Sequence, residues 1–242
     1  MKLYVCNDYE EMSRKACDLV GDYIRKNPGA LVSFPGGTTP VGFIKVFVSA
    51  VNCGEVDISQ ARYISLDEWV GLSAEDEGSC ARFNREHLLG RLEKNFADIH
   101  LINGASGEID EERRKIDSYI NLHGPLGVSV LGIGLNGHLG FNEEGVSADS
   151  RAVVVPLSPI TKKVMSKYLG GRFYPEYGIT QGLGQIMQAK MIVLLADGEH
   201  KAEILCRALK GRITPNIPAS VLQNHPNLCV VTDKDAAKEL CR

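Results

Sequence analysis

Long apolar runs are missing from this 242-residue chain, and no stretch approaches the ~18 residues that a membrane-spanning helix requires. A basic block is missing too. The 27 Lys and Arg and 30 Asp and Glu are mixed along the sequence and give a formal net charge of -3, so nothing marks a nucleic-acid binder. The seven cysteines, at 6, 17, 53, 80, 206, 229 and 241, form no C-x-x-C or Cys/His cluster. That excludes the usual zinc spacings and fits reduced thiols, most of them small core residues. The N-terminal MKLYVCNDYE runs directly into a polar helix pattern with no apolar leader, and the chain reads as soluble and cytoplasmic. Repeats, low-complexity tracts and a linker rich in Gly, Pro and Ser are all absent, which leaves residues 1–242 as one expected domain.

What is present is a core-forming composition, 44% hydrophobic, arranged in alternating patterns. Asn7 and Glu10 resemble a helix cap, and Met12, Ala16, Leu19, Val20, Tyr23 and Ile24 follow at helical spacing until Asn27-Pro28-Gly29. The run 30–34 is too short for a helix and reads as a buried strand; a glycine-rich loop and a helical pattern through Phe43, Val46, Phe47 and Val51 follow it. The same order recurs from Tyr63, from Val128 and from Met191. Strands alternating with helices predict an α/β fold, a mostly parallel Rossmann-like sheet covered by helices on both faces. Ligands of such sheets sit outside the carboxyl ends of the strands, so the loops 35–40, 67–72, 134–145 and 197–201 are candidates for one site.

The loop GIGLNGHLGFNEEG, residues 132–145, carries Gly132, Gly134 and Gly137 in G-x-G-x-x-G spacing. A dinucleotide site needs a helix opening at the third glycine, and His138 to Gly145 has little helical character, so the pattern reads as a sharp turn instead. Asn136, His138, Asn142, Glu143 and Glu144 then crowd one loop. His138 and Glu143 form a candidate acid/base pair, because a neighbouring carboxylate fixes the imidazole tautomer and raises its proton affinity. Asp67, in SLDEWVGL, stands at a strand tip, where partial burial would lift its pKa toward that of a useful base at neutral pH. Pro35-Gly-Gly-Thr-Thr-Pro40 offers unhindered N–H groups, hydroxyls and a helix terminus to an anion such as phosphate, and lacks the G-K-[ST] of a P-loop. Lys201, in DGEHK, is placed to balance a phosphate charge.

Taken together, SFPGGTTP, SLDEWVGL, GIGLNGHLGFNEEG, SRAVVVPL, DGEHKAE and IPASVLQNH resemble the glucosamine-6-phosphate deaminase (isomerase) family, within the group that also contains 6-phosphogluconolactonases. The resemblance spans nearly the whole chain. It implies conversion of an amino-sugar 6-phosphate and water to a ketose 6-phosphate and ammonia, with no metal or organic cofactor. Asp67 then matches the base that moves a proton between C2 and C1, and His138 the catalyst of ring opening, tuned by Glu143 and Asn136. Gly36, Gly37, Thr38 and Lys201 match the phosphate cradle. The expected partner is a small sugar phosphate, not nucleic acid or membrane, and a homo-oligomer is left open.

The sequence departs from the family pattern in places. Asn136 stands where some members have aspartate, Thr39 and Glu144 where proline is usual, and Cys80 where a tyrosine is common. Residues 158–178 read as a flap, in which Lys167 or Arg172 would stand in for the arginine that members bring to the phosphate; a lysine there is a point charge rather than a bidentate fork. These changes are compatible with galactosamine 6-phosphate as the substrate. A lactone hydrolase, with His138 activating water, and a non-catalytic sugar-phosphate sensor are the competing readings.

Overall fold

The computed structural model describes residues 1–163 and 174–240. Its main sheet has seven strands, all parallel: β1 (Lys2–Cys6), β2 (Leu31–Ser33), β3 (Arg62–Ile64), β5 (Asp98–His100), β6 (Val128–Gly132), β9 (Met191–Ala196) and β10 (Leu228–Asp233). Their spatial order is β1-β10-β9-β6-β2-β3-β5. A three-stranded antiparallel sheet, in the order β4-β8-β7, is formed by β4 (Asp67–Trp69), β7 (Val153–Pro156) and β8 (Tyr177–Thr180).

Alternation along each parallel strand divides the interior in two. On β9, Met191, Val193 and Leu195 join one cluster and Ile192, Leu194 and Ala196 the other. The first is covered by helix α1 (Tyr9–Lys26), through the fully buried Met12, Ala16, Val20 and Ile24, and by α2 (Val41–Asn52), through Phe43 and Phe47. The second is covered by α4 (Ile109–His123), α5 (Leu183–Met187) and α6 (Ala202–Lys210), which contribute Ile116, Ile186 and Leu205. A strand buried on both faces has no polar side to show, which is why MIVLLA carries no alternation in hydrophobicity. Each such side chain, fully buried, contributes about 1.5–3 kcal/mol.

The chain moves outward from β2 to β3 and β5, returns to β6 beside β2, then moves the other way through β9 and β10. The switch point therefore lies between β2 and β6, and the loops after those strands, 34–40 and 133–145, flank the crevice there.

The structure differs from the sequence reading in four places. The first residues form edge strand β1 rather than leading straight into a helix. The cap of α1 is Asp8, which accepts from the Glu11 N–H at 2.8 Å, while Asn7 donates its own N–H to the Glu11 carboxylate at 2.7 Å. Asp67 opens strand β4 instead of a loop. The span read as a flap, 158–178, already enters β8 at Tyr177. Lys167 and Arg172 lie outside the described residues.

Candidate active site

Three loops and strand β4 converge on a cavity of about 610 Å³ at the switch point. Gly36, Gly37 and Thr38 line it, as do Asp67, His138 and Lys201. Two aromatic side chains hold β4 and the loop after β6 together: the Trp69 and Phe141 rings lie 4.4 Å apart. Gly178 leaves the room this needs, since a Cβ there would stand 2.5 Å from the Phe141 ring. Gly140, with φ +57, lies against Asp67: a Cβ on it would be 3.3 Å from Asp67 Oδ2.

The glycine pattern is explained by the imidazole. Gly134 passes so close beneath His138 that a Cβ would meet the ring at 2.4 Å. The Gly134 N–H donates to the His138 carbonyl at 3.0 Å and the Gly137 N–H to the Gly134 carbonyl at 2.9 Å, so the chain closes into a turn where a nucleotide fingerprint would open a helix.

His138 stands at one end of a directed hydrogen-bond chain. The Thr161 hydroxyl donates to Glu143 Oε1 and lies 3.2 Å from His138 Nδ1. Its one proton is committed to Glu143, so toward Nδ1 it accepts, and Nδ1 carries the imidazole proton. Glu143 Oε2, 3.7 Å from the same nitrogen, accepts from Asn136 Nδ2 at 2.8 Å, and the Ser158 N–H donates to Oε1 at 3.2 Å. An amide at 136 supplies a donor that an ionised aspartate would lack. Asn136 Oδ1 in turn accepts the His138 N–H at 3.3 Å.

Glu143 is 5% exposed, and burial by itself would raise its pKa. The hydrogen bond and charge of His138, with the Thr161 and Asn136 bonds, outweigh burial and hold it near 2. A depressed carboxyl pKa stabilises the fold above the unfolded value of about 4.5, and the contribution is lost as pH falls toward 2. Glu143→Gln is expected to cost up to about 3 kcal/mol at neutral pH, with the gap to the natural protein narrowing between pH 4.5 and 2. Urea unfolding at a series of pH values measures it; a gap that stays constant across that window would remove the charge from this account.

Asp67 faces a different environment. Burial first, and the neighbouring Glu68 carboxylate second, raise its pKa to about 7, against a hydrogen bond from the Cys80 thiol. Across the cavity the glycine loop is braced from behind. The Tyr9 hydroxyl accepts the Gly42 N–H at 2.8 Å and lies 3.0 Å from the Thr39 carbonyl, and Thr39 Oγ1 donates to Asp197 Oδ1 at 2.5 Å. Among the described residues nothing accepts from the N–H groups of Gly36, Gly37 or Thr38. Lys201 donates to the Ile133 carbonyl at 2.5 Å; burial lowers its pKa while Asp197 opposes that shift. No three His, Cys, Asp or Glu side chains are grouped to hold a metal ion among the described residues.

Comparison with known proteins gives this geometry a context. Residues 8–230 match the family of glucosamine-6-phosphate isomerases and 6-phosphogluconolactonases. The chain belongs to that family. It is 36% identical over 238 residues to a glucosamine-6-phosphate deaminase of Thermoanaerobacter pseudethanolicus, covering 98% of this chain and 94% of the relative. Glucosamine-6-phosphate deaminase 2 of Bacillus subtilis is 34% identical, with 99% and 98% covered. A solved monomeric glucosamine-6-phosphate deaminase superposes with TM-score 0.93 at 30% identity, over 99% of this chain and all of that one. The 6-phosphogluconolactonase of Trypanosoma brucei shares the fold, with TM-score 0.76 at 18% identity over 99% and 98% of the two chains.

Several residues of this family member's site escaped the sequence reading. Thr161 and Ser158 connect to Glu143 across 18 and 15 residues, and Asp197 to Thr39 across 158. Gln181, wholly buried, donates to Ser33 Oγ at 2.8 Å and to the Ser65 carbonyl at 2.9 Å, tying the ends of β2 and β3 to β8. Only Asp197 had a local signal, its place at the end of a strand.

Proposed function

We propose that this chain is an amino-sugar 6-phosphate deaminase/isomerase that converts glucosamine 6-phosphate and water to fructose 6-phosphate and ammonia. The observation that carries the reading is a carboxyl of raised pKa and a carboxylate-backed imidazole on one cavity whose far wall is a glycine-rich loop. The reaction needs two acid/base groups because only the open-chain sugar has a carbonyl that acidifies C2–H. With Nδ1 protonated, His138 Nε2 takes the proton of the C1 hydroxyl and returns it to the ring oxygen, which opens the pyranose. Glu143 stabilises the imidazolium formed between the two transfers, and Asn136 and Thr161 hold Glu143 in place.

Asp67 then removes the C2 proton and delivers it to C1, while the C1 oxygen takes up a proton and the C2 amino group gives one up, so the aldehyde carbon becomes a hydroxymethyl group and C2 an imine. Water adds to C2, ammonia departs and the ketose remains. The N–H groups of Gly36 and Gly37, the Thr38 hydroxyl and the Lys201 ammonium hold the phosphate, remote from the reacting carbons, so binding energy is used for orientation. Lys167 or Arg172 of the segment 158–178 adds a cation to the same group.

The test is ammonia release from glucosamine 6-phosphate, run beside galactosamine 6-phosphate and 6-phosphogluconolactone. Turnover of the gluco sugar is expected, and Lys201→Ala should raise KM about tenfold or more, the loss of a charge-assisted contact of ~1.5–3 kcal/mol. Ammonia from the galacto sugar alone would reassign the substrate. Lactone hydrolysis without ammonia release would overturn the reading.

A further inference from the structure

The Thr39 hydroxyl donates to Asp197 Oδ1 at 2.5 Å, although 158 positions of sequence separate the two residues. Their strands are not neighbours either. In the sheet β6 lies between β2 and β9, so these two run two strand spacings, ~10 Å, apart. The side chains meet across the carboxyl end of β6, and both line the cavity. Thr39 stands just before helix α2, which has no side-chain cap at its start; the hydroxyl is turned across the crevice instead of onto the helix. Its one proton is committed to Asp197, which leaves none to offer a bound anion.

Each end of this bridge is anchored in a different part of the fold. On the Thr39 side, the Tyr9 hydroxyl of α1 lies 3.1 Å from the Thr38 carbonyl and 3.0 Å from that of Thr39, and it accepts the Gly42 N–H at 2.8 Å. Gly42 permits the approach, since a Cβ there would stand 2.7 Å from the Tyr9 ring. On the Asp197 side, the Gly198 N–H donates to Asp233 Oδ2 at 2.9 Å, at the end of β10. Asp233 is itself fixed, its Oδ1 accepting the Ala236 N–H at 2.8 Å. The loop 35–40 is thereby tied to α1 behind it and to β10 through Asp197.

A carboxylate on the wall of an anion site repels the anion, so Asp197 taken alone weakens phosphate binding. What it supplies in return is a charged acceptor, which makes a stronger bond with a hydroxyl than a neutral one does. We propose that Thr39 and Asp197 are positioning residues whose bridge fixes the loop 35–40 in its receiving shape before a phosphate arrives. A loop ordered in advance loses less entropy when the ligand binds. This rests on the reading of that loop as the phosphate cradle of the proposed function.

Inorganic phosphate is the probe, and its Kd is taken from the rise it causes in the melting temperature at constant ionic strength, so that turnover is not needed. Thr39→Val should raise that Kd, and the KM of glucosamine 6-phosphate, about fivefold, with kcat within about twofold of the natural protein. Thr39→Ser keeps the hydroxyl and should restore both. In an Asp197→Ala background the bridge is already gone, and there Thr39→Val should change Kd by less than about twofold. An unchanged Kd in Thr39→Val overturns the proposal. So does an undiminished effect of Thr39→Val in the Asp197→Ala background, which would make the hydroxyl a direct contact of the phosphate. Failure of the parent reading looks different. A protein that binds phosphate and shows the coupling, yet releases ammonia from no amino-sugar phosphate, would keep the bridge and lose the reaction; one that binds no phosphate would lose cradle and bridge together.

Discussion

Asp67→Asn is expected to lower kcat on glucosamine 6-phosphate by about 10²–10⁴-fold, the usual contribution of a positioned general base, while KM stays within a few-fold. The split follows from the layout of the cavity. The phosphate cradle of Gly36, Gly37, Thr38 and Lys201 belongs to other loops, so binding survives when the carboxyl at the tip of β4 loses its basicity. Asparagine is nearly isosteric, which keeps the contact with Gly140.

The natural protein gives the complementary measurement. With the Asp67 pKa raised to about 7, the base is protonated below that pH and free above it, so kcat/KM should rise through about pH 7 and level off on the alkaline side. Stopped assays of ammonia release over pH 5–9 measure both. If Asp67→Asn kept kcat within about threefold of the natural protein, Asp67 would have no part in the chemistry.

Why Asp67 could be singled out from the sequence while its environment could not is a matter of distance along the chain. The alternation of strands and helices, the carboxyl-end loops and the failure of the dinucleotide fingerprint after Gly137 are all local patterns, and the parallel sheet and the convergence at its switch point follow from them. Strand β4 is three residues long, contains two acids, and is a strand only because Thr180 to Gly178 pair with it more than a hundred positions later. No periodicity records that. Nothing in the sequence marks Glu68 as buried, since a buried carboxylate requires donors that a sequence does not display, here the first turn of helix α3 (Cys80–His87). The same holds for Thr161: an isolated threonine acquires its meaning from a glutamate and an imidazole brought to it by β6 and its loop.

His138→Asn is expected to abolish turnover of the amino sugar, by about 10²–10⁴-fold, and yet to spare one partial reaction. Fructose 6-phosphate presents an open keto form in solution without help, so exchange of its C1 proton with solvent requires the carboxyl of Asp67 and not the imidazole. The variant should therefore still wash deuterium into C1 of the ketose at a rate within about tenfold of the natural protein, whereas Asp67→Asn should lose exchange and turnover together. Mass spectrometry of recovered fructose 6-phosphate reads the label. The contrast tests the division of labour that the geometry suggests, since the hydrogen-bond chain from Asn136 through Glu143 and Thr161 ends on His138, while Asp67 stands apart from it on strand β4 and lines the same cavity. If His138→Asn loses exchange as completely as Asp67→Asn, the imidazole acts in the C2 to C1 transfer itself and the two-group scheme is wrong.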